Sequence, residues 1–321
     1  MRPNPVAPGR INRKGFPLRK LTFRGPLAAM AVALVALGVG GTSAQAAPSA
    51  QLSGDDPGVM IVGGQDAVSL HGEVSIQTGG RHRCGGSLIT QQWVLTAAHC
   101  TVVIQPGVTQ VRVGSLDWTT GGQLVGISRV EINPSFIWEV VRGDHALLKL
   151  DRRVRAQTIP MALSPGKTGT PTRITGWGLT CKDPARPECA VLPKRLQQLD
   201  TVVLAPSRCD LGTTESGLPI FSPKTEVCIA SADGLAKMAC NGDSGGPLLR
   251  YMFGRWHLVA TTSGDGDDLI PHANDCNTGP DGVTPGVGMW EKVGPSFPWI
   301  LETLFAADPA AAKEFAGTTR Q

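Results

Sequence analysis

The sequence predicts an all-β fold, and three observations carry that prediction. The chain is rich in turn formers, with 40 Gly and 25 Pro in 321 residues. Its apolar residues fall in short runs between those turn signals, the pattern of half-buried antiparallel strands. A parallel sheet would instead need strands alternating with amphipathic helices of about 10–15 residues, and that alternation is missing. From Ile61 to Gln321 the chain is long enough for one large core or two small ones.

The elements follow in order. The first 47 residues carry seven bases (Arg2, Arg10, Arg13, Lys14, Arg19, Lys20, Arg24), then the apolar run Leu27–Val39, then Ala44-Gln45-Ala46. A basic stretch, an apolar stretch and small residues at a cleavage site read as a secretory signal over residues 1–46. The apolar run is well short of the ~20 residues of a membrane-spanning helix, so export is expected and a stable anchor is not. Residues 47–60 follow the signal.

Removing these segments changes the charge. The whole chain has 30 Lys+Arg against 26 Asp+Glu, but residues 1–60 hold seven of the bases and two of the acids, which leaves 23 against 24. The basic isoelectric point therefore belongs to the precursor, and charge suggests neither a nucleic-acid nor a membrane-surface partner.

Candidate strands are Ser87–Ile89, Trp93–Thr96, Val111–Val113, Val125–Val130, Ala146–Leu150, Arg173–Thr175, Pro247–Arg250 and Trp256–Thr262. A turn-rich stretch, Ser164–Gly169, marks a changeover between residues 61–165 and 166–296. The one convincing helix is Phe297–Ala306, with Trp299, Ile300, Leu304 and Phe305 as its apolar stripe. Residues 307–321 read as a mobile tail. No repeat relates the two halves.

The chemistry concentrates in Gly242-Asp243-Ser244-Gly245-Gly246-Pro247, one serine among glycines that let a backbone approach a reacting carbonyl. A bare Gly-x-Ser-x-Gly also fits the nucleophile elbow of α/β-hydrolases, whose order Ser, Asp, His could nominally be met by Asp265 and His272. The missing strand-helix alternation argues against it. Upstream stand Leu95-Thr96-Ala97-Ala98-His99-Cys100 and Gly143-Asp144-His145-Ala146-Leu147-Leu148. With these three motifs in the order His, Asp, Ser, the chain from Ile61 to about Phe305 resembles the chymotrypsin/trypsin-like serine proteases.

The resemblance implies two six-stranded antiparallel β-barrels followed by a C-terminal α-helix, with the catalytic groups in the cleft between the barrels. It implies a serine endopeptidase acting on protein or peptide substrates without a cofactor. Ser244 would be the nucleophile, His99 the general base and then acid, and Asp144 the group that orients the imidazole. Ser263 matches the serine that supports the aspartate. The backbone N–H groups of Gly242 and Ser244 would form the oxyanion hole. Ile61-Val62-Gly63-Gly64 looks like the family's mature N-terminus, which would make residues 47–60 a short propeptide and whose new α-ammonium would pair with Asp243; on its own it is merely a strand and a turn. Met60 stands where trypsin-like zymogens usually carry Arg or Lys, so the activating protease is either one of apolar preference or the enzyme itself.

Specificity departs from the familiar pattern. Met238, six residues before the nucleophile, takes the position where an aspartate would select Arg and Lys. With Asn241, Ser263, Gly264, Asp265 and Gly286 as the other implied substrate-binding residues, the expectation is an apolar or aromatic side chain before the scissile bond. Gly264 and Asp265 replace the usual aromatic and glycine. Asp267, Asp268 and Asp275 either solvate their loop or, with Asp265, reach a basic substrate side chain.

Eight cysteines in an exported chain are expected to pair, in any of roughly a hundred connectivities. The resemblance implies Cys84 with Cys100, Cys209 with Cys228 and Cys240 with Cys276, which leaves Cys181 with Cys189. No Cys-x-x-Cys, His-Glu-x-x-His or acidic calcium-loop spacing exists, so no metal is implied. His71, His82, His257 and His272 read as ordinary packed histidines. His145, where the family usually has Ile, either perturbs packing or faces solvent. The rival class is a non-catalytic binding module on the same fold.

Overall fold

The computed structural model describes residues 61–105, 107–180, 187–235, 237–264 and 287–319; the expected signal (1–46) and propeptide (47–60) lie outside them. Two closed six-stranded antiparallel barrels form the body. The first comprises β2 (Glu73–Thr78), β3 (Arg81–Thr90), β4 (Trp93–Thr96), β5 (Thr109–Val113), β6 (Gln123–Ile132) and β7 (Ala146–Leu150), closed in the order β2-β3-β4-β7-β6-β5. The second comprises β8 (Pro171–Gly176), β9 (Gln197–Val203), β10 (Glu226–Ser231), β11 (Pro247–Met252), β12 (Arg255–Gly264) and β13 (Val287–Lys292), ordered β9-β10-β13-β12-β11-β8 and closed by the β8–β9 pairing. The short β1 (Gln65–Asp66) precedes the first barrel in sequence but pairs with β9 of the second, at Gln65↔Gln198. The start of the described chain is thereby carried to the barrel that holds Ser244.

All eight candidate strands lie inside β3–β8, β11 and β12. The strands without a sequence signal are those whose polar residues are also buried. In β2, Val74 and Ile76 enter the first core, while Glu73, Ser75 and Gln77 point the other way and are buried as well. Glu73 Oε1 accepts a hydrogen bond from Thr175 Oγ1 of β8 at 2.8 Å, so this polar face lies against the second barrel. Period-2 patterning reads one buried face, and β2 has two. The β11–β12 hairpin turns through Phe253 (φ 52°) and Gly254 (φ 81°) between the paired Met252 and Arg255. Positive φ at both positions is the two-residue turn that matches strand twist.

The C-terminus differs from expectation. Helix α1 runs over Val293–Ala307, four residues earlier than read, because Val293 and Ser296 are buried in its first turn. Ile300 and Leu304 form the buried stripe, whereas Phe305 is 51% exposed. Instead of a mobile tail, a second helix α2 spans Pro309–Thr319. Its N–H at Ala311 is capped by Asp308 Oδ1 at 3.0 Å, and Ala311, Ala312 and Phe315 are fully buried with Ile89 and Trp93 of the first barrel and Leu249 and Leu258 of the second. Alanine carries little hydrophobic signal, so this stripe was hard to read from the sequence. Glu314 anchors the helix through Gln91 N–H (2.6 Å) and Arg153 (2.7 Å).

Because Phe315 fills a site shared by both barrels, Phe315→Ala is expected to cost ~3–5 kcal/mol of stability. Thermal or denaturant unfolding of the variant beside the parent protein measures this.

Candidate active site

Asp144 is the most constrained side chain of the site. It follows Gly143, whose φ of 67° and whose position against the Ser135 carbonyl, 2.6 Å from where a Cβ would stand, exclude a side chain. Asp144 is fully buried. Its Oδ1 accepts the His99 backbone N–H at 2.8 Å, and its Oδ2 lies 2.7 Å from His99 Nδ1 and accepts Ser263 Oγ–H at 2.8 Å. A carboxylate oxygen only accepts, so Nδ1 bears the proton, and in the neutral form of the ring Nε2 is then the basic nitrogen.

Sequence position alone does not explain how Ser263 reaches Asp144. The β12–β13 register passes from Thr262↔Trp290 to Gly264↔Met289, leaving Ser263 as the extra residue of a bulge. Bulges re-aim side chains, and this one turns Ser263 toward Asp144 and the Val141 carbonyl (3.0 Å).

Ser244 sits in a tight loop between the barrels. Gly85 N–H of β3 donates to the Ser244 carbonyl at 2.8 Å, and Gly245 N–H donates to Thr262 of β12 at 2.8 Å. Gly245 (φ 74°) has Thr96 Oγ1 2.2 Å from where a Cβ would stand, so glycine is required for this approach to the strand before His99. The Cys84–Cys100 disulfide joins β3 to the turn that begins at His99. Cys84, His99 and Cys100 lie close together, but bonded sulfurs carry no thiolate and make no metal site.

Just before the serine, the Asn241 carbonyl accepts the Leu179 N–H at 2.9 Å. In a trans peptide the N–H of Gly242 therefore points the opposite way. The Gly242 carbonyl accepts from His82 Nε2 at 2.8 Å, and His82 Nδ1 meets Ser75 Oγ at 2.8 Å. Burial pushes the His82 pKa down to about 4, so the ring is neutral, donating from Nε2 and accepting at Nδ1. Read from sequence as a packing residue, His82 instead anchors the loop beside the serine. Only its placement on β3 opposite that loop could have revealed this.

Asp243 is buried beneath the same loop. Its carboxyl accepts N–H groups from Gly178 (2.7 Å) and Cys240 (2.9 Å), and burial raises its pKa to about 7. Ile61 is fully buried in the second-barrel core with Met238 and Trp290. Within the full-length chain the Ile61 nitrogen is a peptide group and carries no charge.

Met238 is 1% exposed. Gly288 of β13 lies beside it: a Cβ there would meet Met238 Sδ at 3.0 Å and the Trp290 ring at 1.9 Å. Gly288 thus packs directly against Met238 and Trp290, a neighbour that sequence reading did not single out. The expected wall residues Asp265 and Gly286 lie outside the described residues, as do Asp267, Asp268, His272 and Asp275; Asn241 is exposed and Gly264 ends β12. Cys209–Cys228 is formed. Cys189 and Cys240 are also disulfide-bonded, and the partners expected for them, Cys181 and Cys276, lie outside the described residues.

His145 is fully buried. Ser296 Oγ of α1 accepts from Asn133 Nδ2 (3.1 Å) and donates to His145 Nδ1 (2.8 Å), tying the strand after Asp144 to the helix. Burial pushes its pKa down to about 4. For a histidine depressed in the fold, the stabilising contribution is complete above the ordinary value of 6.5 and is lost as pH falls toward the folded value. His82 and His145 should each remove about 3 kcal/mol between pH 6.5 and 4. Denaturant unfolding at several pH values tests this, and His145→Gln should flatten the slope.

The Trypsin family profile matches residues 61–266. The chain is 35% identical over 229 residues to trypsin theta of Drosophila melanogaster, covering 68% of this chain and 83% of that protein. It is 34% identical over 204 residues to a trypsin of Sarcophaga bullata, covering 62% and 77%. Against trypsin delta of Drosophila melanogaster the identity is 30% over 195 residues, covering 59% and 73%. Two closed barrels, a buried aspartate bonded to a histidine, and a family match over more than half the chain lead to one conclusion: this chain belongs to the trypsin family of serine endopeptidases.

Proposed function

We propose that the protein is a secreted endopeptidase that cleaves peptide bonds through Ser244, His99 and Asp144. Ser244 Oγ attacks the scissile carbonyl while His99 Nε2 takes its proton and then passes it to the leaving amine. Asp144 holds the ring in the required tautomer and offsets the imidazolium charge. The observation that carries this reading is the fully buried Asp144 carboxylate, which bonds the His99 backbone N–H, His99 Nδ1 and Ser263 Oγ. The Gly242 and Ser244 N–H groups serve as the oxyanion hole, and removal of one such donor typically costs ~3 kcal/mol. The Leu179 bond to Asn241 supports that role by turning the Gly242 N–H away from the loop interior.

The chain is made as a zymogen. Cleavage after Met60 converts the Ile61 nitrogen into an ammonium, and Asp243 receives it. Support comes from Asp243 itself, a buried carboxyl held by two amides whose raised pKa reflects lost hydration without a cation to offset it. Export rests on the basic and apolar N-terminal segment. Among the described residues no helix is long and apolar enough to cross a membrane.

The substrate side chain before the scissile bond is apolar or aromatic. Met238, Gly288 and Trp290 supply an apolar floor and wall with no counter-charge. Burial of an apolar side chain there contributes about 1.5–3 kcal/mol.

A serine-reactive organophosphorus probe is expected to label the protein after processing at Met60-Ile61 and to leave the unprocessed chain unlabelled. Ser244→Ala should abolish labelling and lower turnover by ~10⁶-fold. Absence of labelling after processing would favour a binding module. In a peptide panel varied only before the scissile bond, kcat/KM should be highest for Phe, Leu or Met; cleavage after Arg alone would exclude the apolar pocket.

A further inference from the structure

A second cluster of charge lies next to Asp144 and has no part in the mechanism above. Glu226 of β10 and Glu291 of β13 are direct partners in the antiparallel register, so their side chains leave the same face of the sheet. They are 3% and 1% exposed. Like charges placed opposite each other oppose strand pairing, and two buried carboxylates cannot both ionise cheaply. Glu226 Oε2 accepts the Ser222 N–H at 2.6 Å and stands 3.6 Å from Arg142 Nε. The one donor that acts on Glu291 is the backbone N–H of Gly143, too poorly placed to make a well-formed hydrogen bond to either oxygen, and among the described residues Oγ1 of Thr261, its register partner in β12, has no hydrogen-bond partner.

Arg142 connects the cluster to the site. Its backbone pairs with Ile137 in the first barrel, and its guanidinium reaches Glu226 and the Pro219 carbonyl in the second. Only Gly143 separates it from Asp144. The Val141–Asp144 segment is thus held to the second barrel by Ser263 and by Glu226.

We propose that Glu226 and Glu291 form a positioning pair for Asp144, gripping Arg142 from the second barrel and, with one proton between them, keeping a second negative charge from forming beside the catalytic carboxylate. This role rests on Asp144 being the triad aspartate. The charged groups facing the pair are Arg142 and Asp144 from the segment before β7 and Lys292 from β13. The Lys292 ammonium donates to the Pro223 carbonyl at 2.6 Å. Burial first, then Glu226 and Asp144, push Glu291 up to about 9. Burial pushes Glu226 up to about 7, against the pull of Ser222, Arg142 and Lys292. Between about pH 7 and 9 the pair therefore holds one proton, which resides on Glu291. As pH rises it passes to solvent, and two carboxylates then face Asp144 with Arg142 as their nearest counter-charge.

A carboxyl whose folded pKa is raised contributes stability in full at low pH and loses it as pH climbs toward the folded value. Glu291→Gln keeps the shape and cannot ionise. Its Tm should exceed that of the processed parent enzyme by ~5 °C at pH 9 and match it at pH 5. Glu226→Gln releases Arg142 and, above about pH 7, removes a charge. It should lower kcat by ~10-fold with little change in KM.

The proposal is overturned if the Tm difference is flat with pH and both kcat–pH curves superimpose on the parent's at a temperature where all three proteins are folded. Should Glu226→Gln not fold, Arg142→Lys supplies the kinetic measurement with the same expected loss and the same overturning result. A parent that is processed but neither labels nor hydrolyses would refute the triad reading instead, and the Tm measurement separates that failure from failure of the pair.

Discussion

The site depends on how one carboxylate survives burial. Asp144 is removed from water, and ionised it is tolerable only with donors on its lone pairs. Two come from His99 of the first barrel and one from Ser263 of the second. Neither barrel alone completes the set. The cleft is therefore where the two halves of the molecule become chemically interdependent, and the polar faces that the barrels turn toward each other follow from the same need. Glu73 with Thr175, and His82 with the Gly242 carbonyl, are further hydrogen bonds across that boundary.

The same logic explains the loop around Ser244. Its carbonyl is taken by Gly85 and the next amide by Thr262, so the serine is pinned from both sides. Glycine at position 245 follows from the closeness of Thr96, since any Cβ would displace the strand that leads to His99. The local strain of positive φ is thereby tied to a particular contact. Below the loop, Asp243 is the one buried carboxyl of the site whose described donors are two backbone amides with no cation.

Polar residues buried around the site also shape its pH response. Histidines 82 and 145 are neutral in the fold and oppose acid. The pair Glu226 and Glu291 is pushed the other way and opposes base. Both directions have one cause, desolvation of the charged form. The window of greatest stability is bounded by groups that neither attack nor protonate a substrate.

Much of this was legible in the chain. The three motifs around His99, Asp144 and Ser244 are local, because each requires particular neighbours within a few residues. The eight strands with short apolar runs were readable because one face of each enters a core. Buried polar strands such as β2, the alanine-rich α2 and the re-aimed Ser263 follow other rules. Their burial comes from partners distant in sequence, and hydrophobic periodicity does not report it. Glu226 and Glu291 are 65 residues apart, and no local pattern in the chain links them. Sequence alone determined the kind of chemistry, through the residue types and their order. Tertiary structure decided which polar groups share a buried space and therefore which protons they hold, because desolvation and hydrogen bonding depend on neighbours that chain order does not specify.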